Sequence, residues 1–392
     1  MKKVLLLGAG YANLSLIKAL DKSVFSKAEF TLISQTKFHY LSVLLHEVVS
    51  GFKKEQVLFD INELLPPQVQ FIEDTIVEIK EKEVLTQNST YLYDILVVGL
   101  GFQSDTFGIE GIKEHAFPII NYHSALSLNE KITERILDYK KGDNTALHFI
   151  VCGGGFSGVE LIASLAEELP KRCMALGVET KDITLTCVEA MPNILPMFSN
   201  NLVNIASTYL QSLGIHLATA CKILQCEKDG IIVEENGQKR KINASLIIWT
   251  AGVKGNEVIQ NSSFFTQARS KVEVNAYLQP INQKNNMNNI FILGDCAALK
   301  DPLSGRFYPP TAQIAAKQGK YLARVLEAKL ENQAFDTEFS YEAQGTICSL
   351  GAKNAVGVLG KKELKGKIAL WLKHLVEARW RFVLQGIKGI FH

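Results

Sequence analysis

The chain has 392 residues, 47% of them apolar and 21% charged, and a formal net charge of +2. That balance describes soluble globular domains, two of ordinary size with a smaller unit left over, and gives no overall bias toward nucleic acid or other polyanions. The seven cysteines are scattered with no C-x-x-C pair, which argues against a disulfide scaffold and for a reduced, intracellular setting.

In chain order, Lys3–Leu7 is a short apolar run that meets Gly8-Ala9-Gly10. Lysines before an apolar run superficially suggest a secretory leader, but the run is too short before its glycines, so it reads as a strand entering a turn. A helical pattern follows through Leu14, Ile17 and Leu20, then a second strand over Glu29–Ser34, and later a buried strand over Tyr93–Leu100 that ends at Gly101. The same events recur downstream. His148–Cys152 runs into Gly153-Gly154-Gly155-Phe156-Ser157-Gly158, a helix continues through Leu161, Leu165 and Leu169, Ile183–Glu189 is the next strand, and Leu246–Gly252 closes the copy. This internal duplication, in units of roughly 90–100 residues, predicts an α/β chain with two Rossmann-like dinucleotide-binding domains. Asn289–Asp295 is a further apolar run ending in Gly294-Asp295, and Thr311–Leu326 has helical spacing. The segments Asn282–Asn289 and Asp301–Pro310 read as loops.

A strand, a G-x-G-x-x-G turn and a helix have a defined physical use. The first glycine permits the tight turn, the second lets the backbone approach a pyrophosphate, and the third lets helix and strand pack closely. The helix N-terminus adds oriented N–H groups and a positive dipole end. The downstream copy is complete at Gly153, Gly155 and Gly158, with Gly252 at the end of its closing strand. Its second strand ends in Glu189, where a carboxylate would bond a ribose 2′-OH and repel a 2′-phosphate, so NADH is expected over NADPH; the alternative is a solvated strand-end charge. The upstream copy has Gly8 and Gly10, but Asn13 in third place, which is expected to pack less closely than glycine, and its second strand ends at Ser34 without an acid. Gly294-Asp295 is expected to complete that site, with Asp295 on a hydroxyl of the ligand or, alternatively, capping the following turn.

The segments GAGYAN, FHYLSVLLHEVVSG, YDILVVGLGF, GGGFSGVE, TCVEAMPNILPMF, WTAGV, FILGDCA and PTAQIAAKQG resemble the type II NADH:quinone oxidoreductases, in order and over nearly the whole chain. The resemblance implies FAD on the first unit, at Gly8, Gly10, Asn13, Ser34, Gly294, Asp295, Ala312 and Gln313. It implies NADH on the second, hydride transfer from NADH to the flavin, and two-electron reduction of a membrane quinone without proton pumping. It implies domains over 1–115 and 261–330 for FAD, 116–260 for NADH, and a C-terminal segment over 331–392. Glu160 is the implied acidic residue near flavin and nicotinamide, able to orient the nicotinamide or relay a proton; the alternative is a charge favoured by the helix dipole. The family's Ala-Gln-x-x-x-Gln pattern is altered here: Ala312-Gln313 is kept, Lys317 takes the second glutamine's place, and Gln318 follows. Gln313, Lys317 and Gln318 are therefore the expected quinone contacts.

The last 32 residues hold eight Lys/Arg against Glu363 and Glu377. Ile368, Leu372, Leu375, Val376, Val383, Ile387 and Ile390 recur at helical spacing, with Trp371, Trp380, Phe382 and Phe391 among the cations. This composition predicts an interfacial amphipathic helix on an anionic membrane surface, peripheral and on the cytoplasmic face, with docking on the protein core as the alternative. A run of eighteen apolar residues is absent, so no span is expected. A homodimer is compatible with the reading, and no metal site or nucleic-acid partner is expected. His46-Glu47 lacks the following histidine of a zinc protease, Gly155-Phe156-Ser157-Gly158 lacks hydrolase-elbow spacing, and the helix after Gly10 has no redox cysteine pair. An NADH oxidase or ferredoxin-type reductase, and a nucleotide-binding redox sensor without catalysis, remain as alternatives.

Overall fold

A computed structural model of the chain describes residues 1–281 and 287–390. The start of the expected loop at Asn282–Asn289, together with Phe391 of the tail stripe, lies outside the described residues. Lys2–Leu7 (β1) turns at Gly8 into the helix Tyr11–Ala19 (α1), and Ala28–Ser34 (β2) returns parallel to β1 with Leu6 opposite Leu32. Leu45–Ser50 (α2), Val69–Glu73 (β3) and Ile95–Val98 (β4) follow. All four residues of β4 are buried, as a central strand covered on both faces requires.

The chain then crosses to a second sheet through Ala116–Pro118 (β5) and the helix Tyr122–Lys140 (α3), whose N-terminus is closed by a reciprocal cap between Asn121 and Ser124. His148–Cys152 (β6), Phe156–Ala175 (α4), Thr184–Val188 (β7), Ile215–Ala218 (β8) and Leu246–Trp249 (β9) complete it in the order β5-β9-β6-β7-β8, all parallel. Ile290–Ile292 (β10) returns to the first sheet, which reads β10-β4-β1-β2-β3, also all parallel. The two sheets share one winding, and each carries a three-stranded antiparallel insert before its closing strand, at 76–92 and 221–243. Those inserts extend the duplication beyond what the glycine loops and apolar runs reveal.

The helix Ala312–Leu330 (α5) lies across α1. A Cβ on Gly319 would sit 2.0 Å from the Ala12 carbonyl oxygen, so glycine is what lets the two helix backbones approach. Gly345–Ser349 (β11), Ala355–Leu359 (β12) and Lys362–Lys365 (β13) form a small antiparallel sheet that feeds the helix Gly366–Gln385 (α6). The helix expected in the tail is present, but one face is docked: Ala369, Arg381 and Leu384 are buried against the body. The opposite face is apolar and open, with Ile368 70% and Trp371 64% exposed and Leu375, Val376 and Phe382 beside them. The tail helix is thus docked along one face, the alternative the sequence left open, and its 3.6-residue stripe leaves a second apolar face uncovered. Among the described residues no helix is long and apolar enough to cross a membrane.

Candidate dinucleotide and acceptor sites

The two glycine loops sit at the carboxyl ends of β1 and β6, where open α/β sheets bind ligands. Gly8 and Gly153 have φ of +87° and +112°, and a Cβ on either would meet the closing segment of its own sheet, Gly99 O at 2.5 Å or Ala251 N at 2.9 Å. A Cβ on Gly158 would lie 1.9 Å from the Gly153 carbonyl oxygen, which is the close helix–loop packing expected of the third glycine. The second glycines differ. Around Gly155 no atom lies within 4 Å of a Cβ position, and around Gly10 the nearest is Gly99 O at 3.9 Å. Glycine is thus required by the protein's own packing at the first place of both loops and at the third place of the downstream one, and opens onto free space at the second, where a pyrophosphate would approach.

Asn13 corrects the sequence expectation of looser packing. It is fully buried, and its Nδ2 donates to the Leu7 and Gly8 carbonyl oxygens at 2.8 Å each, so the amide braces the turn from beneath. Ser34 ends β2 half-buried beside that loop, paired in register with Glu73 of β3. A carboxylate therefore stands at this edge after all, supplied by the next strand, with its Oε1 accepting from Lys37 N at 3.2 Å.

Gly294 and Asp295 follow β10 and share a cleft with Thr311, Ile314 and Ala315 of the α5 N-terminus. Thr311 caps that helix by accepting from Ile314 N at 3.2 Å, with Ala312 the first helical residue. Among the described residues none hydrogen-bonds the Asp295 carboxylate, and its burial pushes the carboxyl above the usual range, against the pull of Lys271. A carboxylate without a protein donor beside a glycine loop fits a ligand hydroxyl. Gln318, expected at the quinone, is 2% exposed and accepts from Gly294 N at 2.7 Å. Helix periodicity explains the difference: Gln318 is one residue, about 100°, from Lys317, so it faces β10 while Lys317 faces outward.

Gln313 and Lys317 do share a face, as their spacing requires. Tyr341 donates its hydroxyl to Gln313 Oε1, and Lys317 Nζ lies 4.8 Å from the centre of the Tyr341 ring and 3.3 Å from the Glu342 carbonyl oxygen. Tyr308 meets the same ring edge-on at 5.7 Å. Tyr341 lies in the segment before β11, which carries no periodic signal, so sequence reading missed it.

Glu189 follows β7 directly and turns its carboxylate onto the second loop, accepting from Gly154 N at 2.6 Å and Met191 N at 2.8 Å. Gly252, at φ +70°, carries the ring of Phe107 directly over it. Glu160 is 7% exposed in the second turn of α4. Its Oε1 accepts from Ser349 N at 2.9 Å and Ser349 Oγ at 3.1 Å and pairs with Lys373 of α6, while Oε2 lies 3.6 Å from His46 Nδ1. Burial pushes this carboxyl upward, but Lys373, His46 and the Ser349 bonds outweigh it and hold the group below the usual carboxylate range. Burial, with Lys373 beside it, pushes His46 down against the pull of Glu160. Sequence reading found Glu160 and missed its partners, which come from α2, β11 and α6.

A flavin and a nicotinamide dinucleotide fit these donor sets, one loop each, and the fold with its two sites defines a two-dinucleotide oxidoreductase. Residues 2–319 match the pyridine nucleotide-disulphide oxidoreductase family model. The type II NADH:quinone oxidoreductase of Staphylococcus aureus (strain MSSA476) is 38% identical over 394 residues, covering 98% of this chain and 96% of that protein. In fold, the chain matches NDH2 from Plasmodium falciparum, solved in complex with NADH, at a TM-score of 0.89 and 20% identity, covering 100% of this chain and 96% of the other. The sulfide:quinone oxidoreductase of Aquifex aeolicus matches at 0.79 and 20% identity, covering 98% and 92%. The chain belongs to the type II NADH:quinone oxidoreductases within the pyridine nucleotide-disulphide oxidoreductase family.

Proposed function

We propose that this FAD-dependent NADH:quinone oxidoreductase divides its work between the two glycine loops, Glu160 and the outer face of α6. The observation that carries the reading is the open space at Gly10 and Gly155, next to first-place glycines that the protein's own packing demands, with Gly158 on the far side in one loop and the buried Asn13 amide in the other. Gly8, Gly10, Ser34, Gly294, Asp295, Ala312 and Gln313 would hold FAD, with Asn13 shaping the turn. Gly153, Gly155, Gly158, Glu189 and Gly252 would hold NADH. The domains follow the same division: 1–115 with 261–330 for FAD, 116–260 for NADH, and 331–392 as the C-terminal segment. When bound, the flavin supplies a two-electron carrier between nicotinamide and quinone.

The protein's own residues bind, orient and hold charge. Glu189 already gathers two backbone N–H groups at the second loop, which supports a fixed carboxylate that would favour a ribose diol over a 2′-phosphate. Glu160 is the catalytic carboxylate of this reading: Oε1 is held by Lys373 and Ser349, and Oε2 is the atom that orients nicotinamide or exchanges a proton. Gln313 and Lys317, bracketed by Tyr341, would meet the quinone oxygen. Gln318 supports the FAD side through Gly294 instead.

The enzyme is peripheral, and α6 is proposed as the element that touches the cytoplasmic face of the membrane, through Ile368, Trp371, Leu375, Val376 and Phe382. The reading extends to a homodimer of the 43.5 kDa chain, which sedimentation of the flavin-loaded protein would show as twice that mass. Purified chain should be yellow and oxidise NADH faster when a soluble quinone is added. NADH oxidation indifferent to quinone would refute the acceptor and favour an oxidase or a protein acceptor.

A further inference from the structure

His39 is 2% exposed and lies between the first glycine loop and the C-terminal helix. Its Nδ1 is 2.9 Å from the Ala9 carbonyl oxygen, and its Nε2 is 3.2 Å from Trp380 Nε1. An indole nitrogen only donates, and a carbonyl only accepts. The neutral ring protonated on Nδ1 is therefore the form that satisfies both contacts, and burial pushes the imidazole down to about 4, against the bond to Ala9. Tyr11, at the start of α1, closes the group from the other side, with its ring centre 4.7 Å from that of Trp380 and 5.2 Å from that of His39.

Ala9 is the residue between Gly8 and Gly10. A trans peptide plane carries its C=O and the following N–H in opposite directions. Fixing the Ala9 oxygen on His39 therefore fixes the Gly10 N–H toward the other side of the loop, and Gly10 is the glycine that opens onto free space. Among the described residues His39 is the side chain that holds the Ala9 oxygen. Trp380, in turn, is the residue that couples His39 to α6.

We propose that His39 and Trp380 are positioning residues that set the FAD loop from the C-terminal helix, so that FAD binding and docking of that helix are linked. The inference rests on the FAD assignment above. The linkage is reciprocal: a docked helix tightens FAD, and bound FAD tightens the helix. The helix that presents its open face to the membrane thereby also holds the flavin's loop in shape.

The test measures FAD release from the purified flavoprotein on dilution, followed by flavin fluorescence. Trp380→Phe keeps the ring against Tyr11 and removes the donor; His39→Phe keeps the bulk and removes both bonds. Each should release FAD about tenfold faster, the double variant should be no faster than either single one, and His39→Gln, whose amide restores both contacts, should lie within about twofold of the parent. Hydrogen exchange on the parent protein needs no variant: amides over Gly366–Gln385 should exchange several-fold more slowly with FAD bound than after its removal. Release unchanged in Trp380→Phe, additive effects in the double variant, or α6 exchange indifferent to FAD would overturn the linkage while leaving FAD binding intact. A purified chain that holds no flavin would overturn the FAD assignment itself.

Discussion

At the scale of single residues, the buried charges decide what can be measured. Burial works against the charge on Glu160, and Lys373 of α6, with His46 and the Ser349 bonds, outweighs it and holds the carboxyl below the usual range. Glu160→Gln should lower kcat for quinone reduction by roughly 10²-fold while changing the KM for NADH only a few-fold; an unchanged kcat would remove Glu160 from the chemistry. Lys373→Met leaves the carboxylate buried without its cation and should destabilise the fold by about 3 kcal/mol or more, read from urea unfolding. Glu189→Ala should raise the KM for NADH and relax rejection of NADPH, and selectivity that does not move would refute its ribose role. His39 gives a pH signature. Its folded value of about 4 lies below its ordinary 6.5, so acidification protonates the unfolded chain first. The stability it contributes is complete above about pH 6.5 and is lost as pH falls toward 4, by roughly 3 kcal/mol. Unfolding of His39→Gln between pH 7 and 4.5 should show a shallower slope than the parent, and equal slopes would contradict the assignment.

Residue identities at the glycine loops and at Glu160 were legible in the sequence because each sits at a fixed offset from a strand end. Asn13 was found but misread: the sequence shows a missing glycine, and only the folded turn shows an amide donating to Leu7 and Gly8. His46, Ser349 and Lys373 were illegible as partners of Glu160, since they converge from positions 46, 349 and 373 and no local pattern joins them.

Among the elements, helix phase is what separates the residues of the acceptor region. Along α5 the same periodicity places Gln313 and Lys317 under Tyr341 and turns Gln318 inward to Gly294. Lys317→Met should raise the KM for a soluble quinone several-fold and leave the KM for NADH alone; equal values for both substrates would place quinone elsewhere. Tyr341→Phe, which loses the bond to Gln313, should shift the quinone KM in the same direction. The helix α6 was legible as amphipathic but not as two-faced. Its stripe is wide enough to serve both the body and a membrane, and a hydrophobic pattern does not say which side is covered. Deleting residues from Gly366 onward should therefore cost flavin and folding, because Lys373 and Trp380 leave with the tail. Charging only the open face, as in Ile368→Asp with Trp371→Asp, should abolish binding to anionic liposomes and spare reduction of a soluble quinone. Retained liposome binding would move the membrane surface off α6.

For the whole molecule, the duplication fixed the architecture, and the strand orders follow from it with one asymmetry. The second sheet is built from one continuous stretch, β5 to β9 over 116–249, whereas the first takes its edge strand from Ile290–Ile292 and its covering helix from Ala312–Leu330. During synthesis the second unit can therefore close on its own, while the first waits with β4 as an unpaired edge and the Ala12 side of α1 uncovered until residues near 330 have emerged. Domains complete as their segments become available, and long-range pairings form late. The unit that begins the chain is thus the last to finish. Its last closure, Gly319 against Ala12, would bring the Gly294–Gln318 corner up to the Gly8 loop and complete the surface proposed for the flavin. On the proposed assignment, a chain of this design would gain its surface for FAD only when it is nearly whole, and a half-made enzyme would carry no reactive flavin.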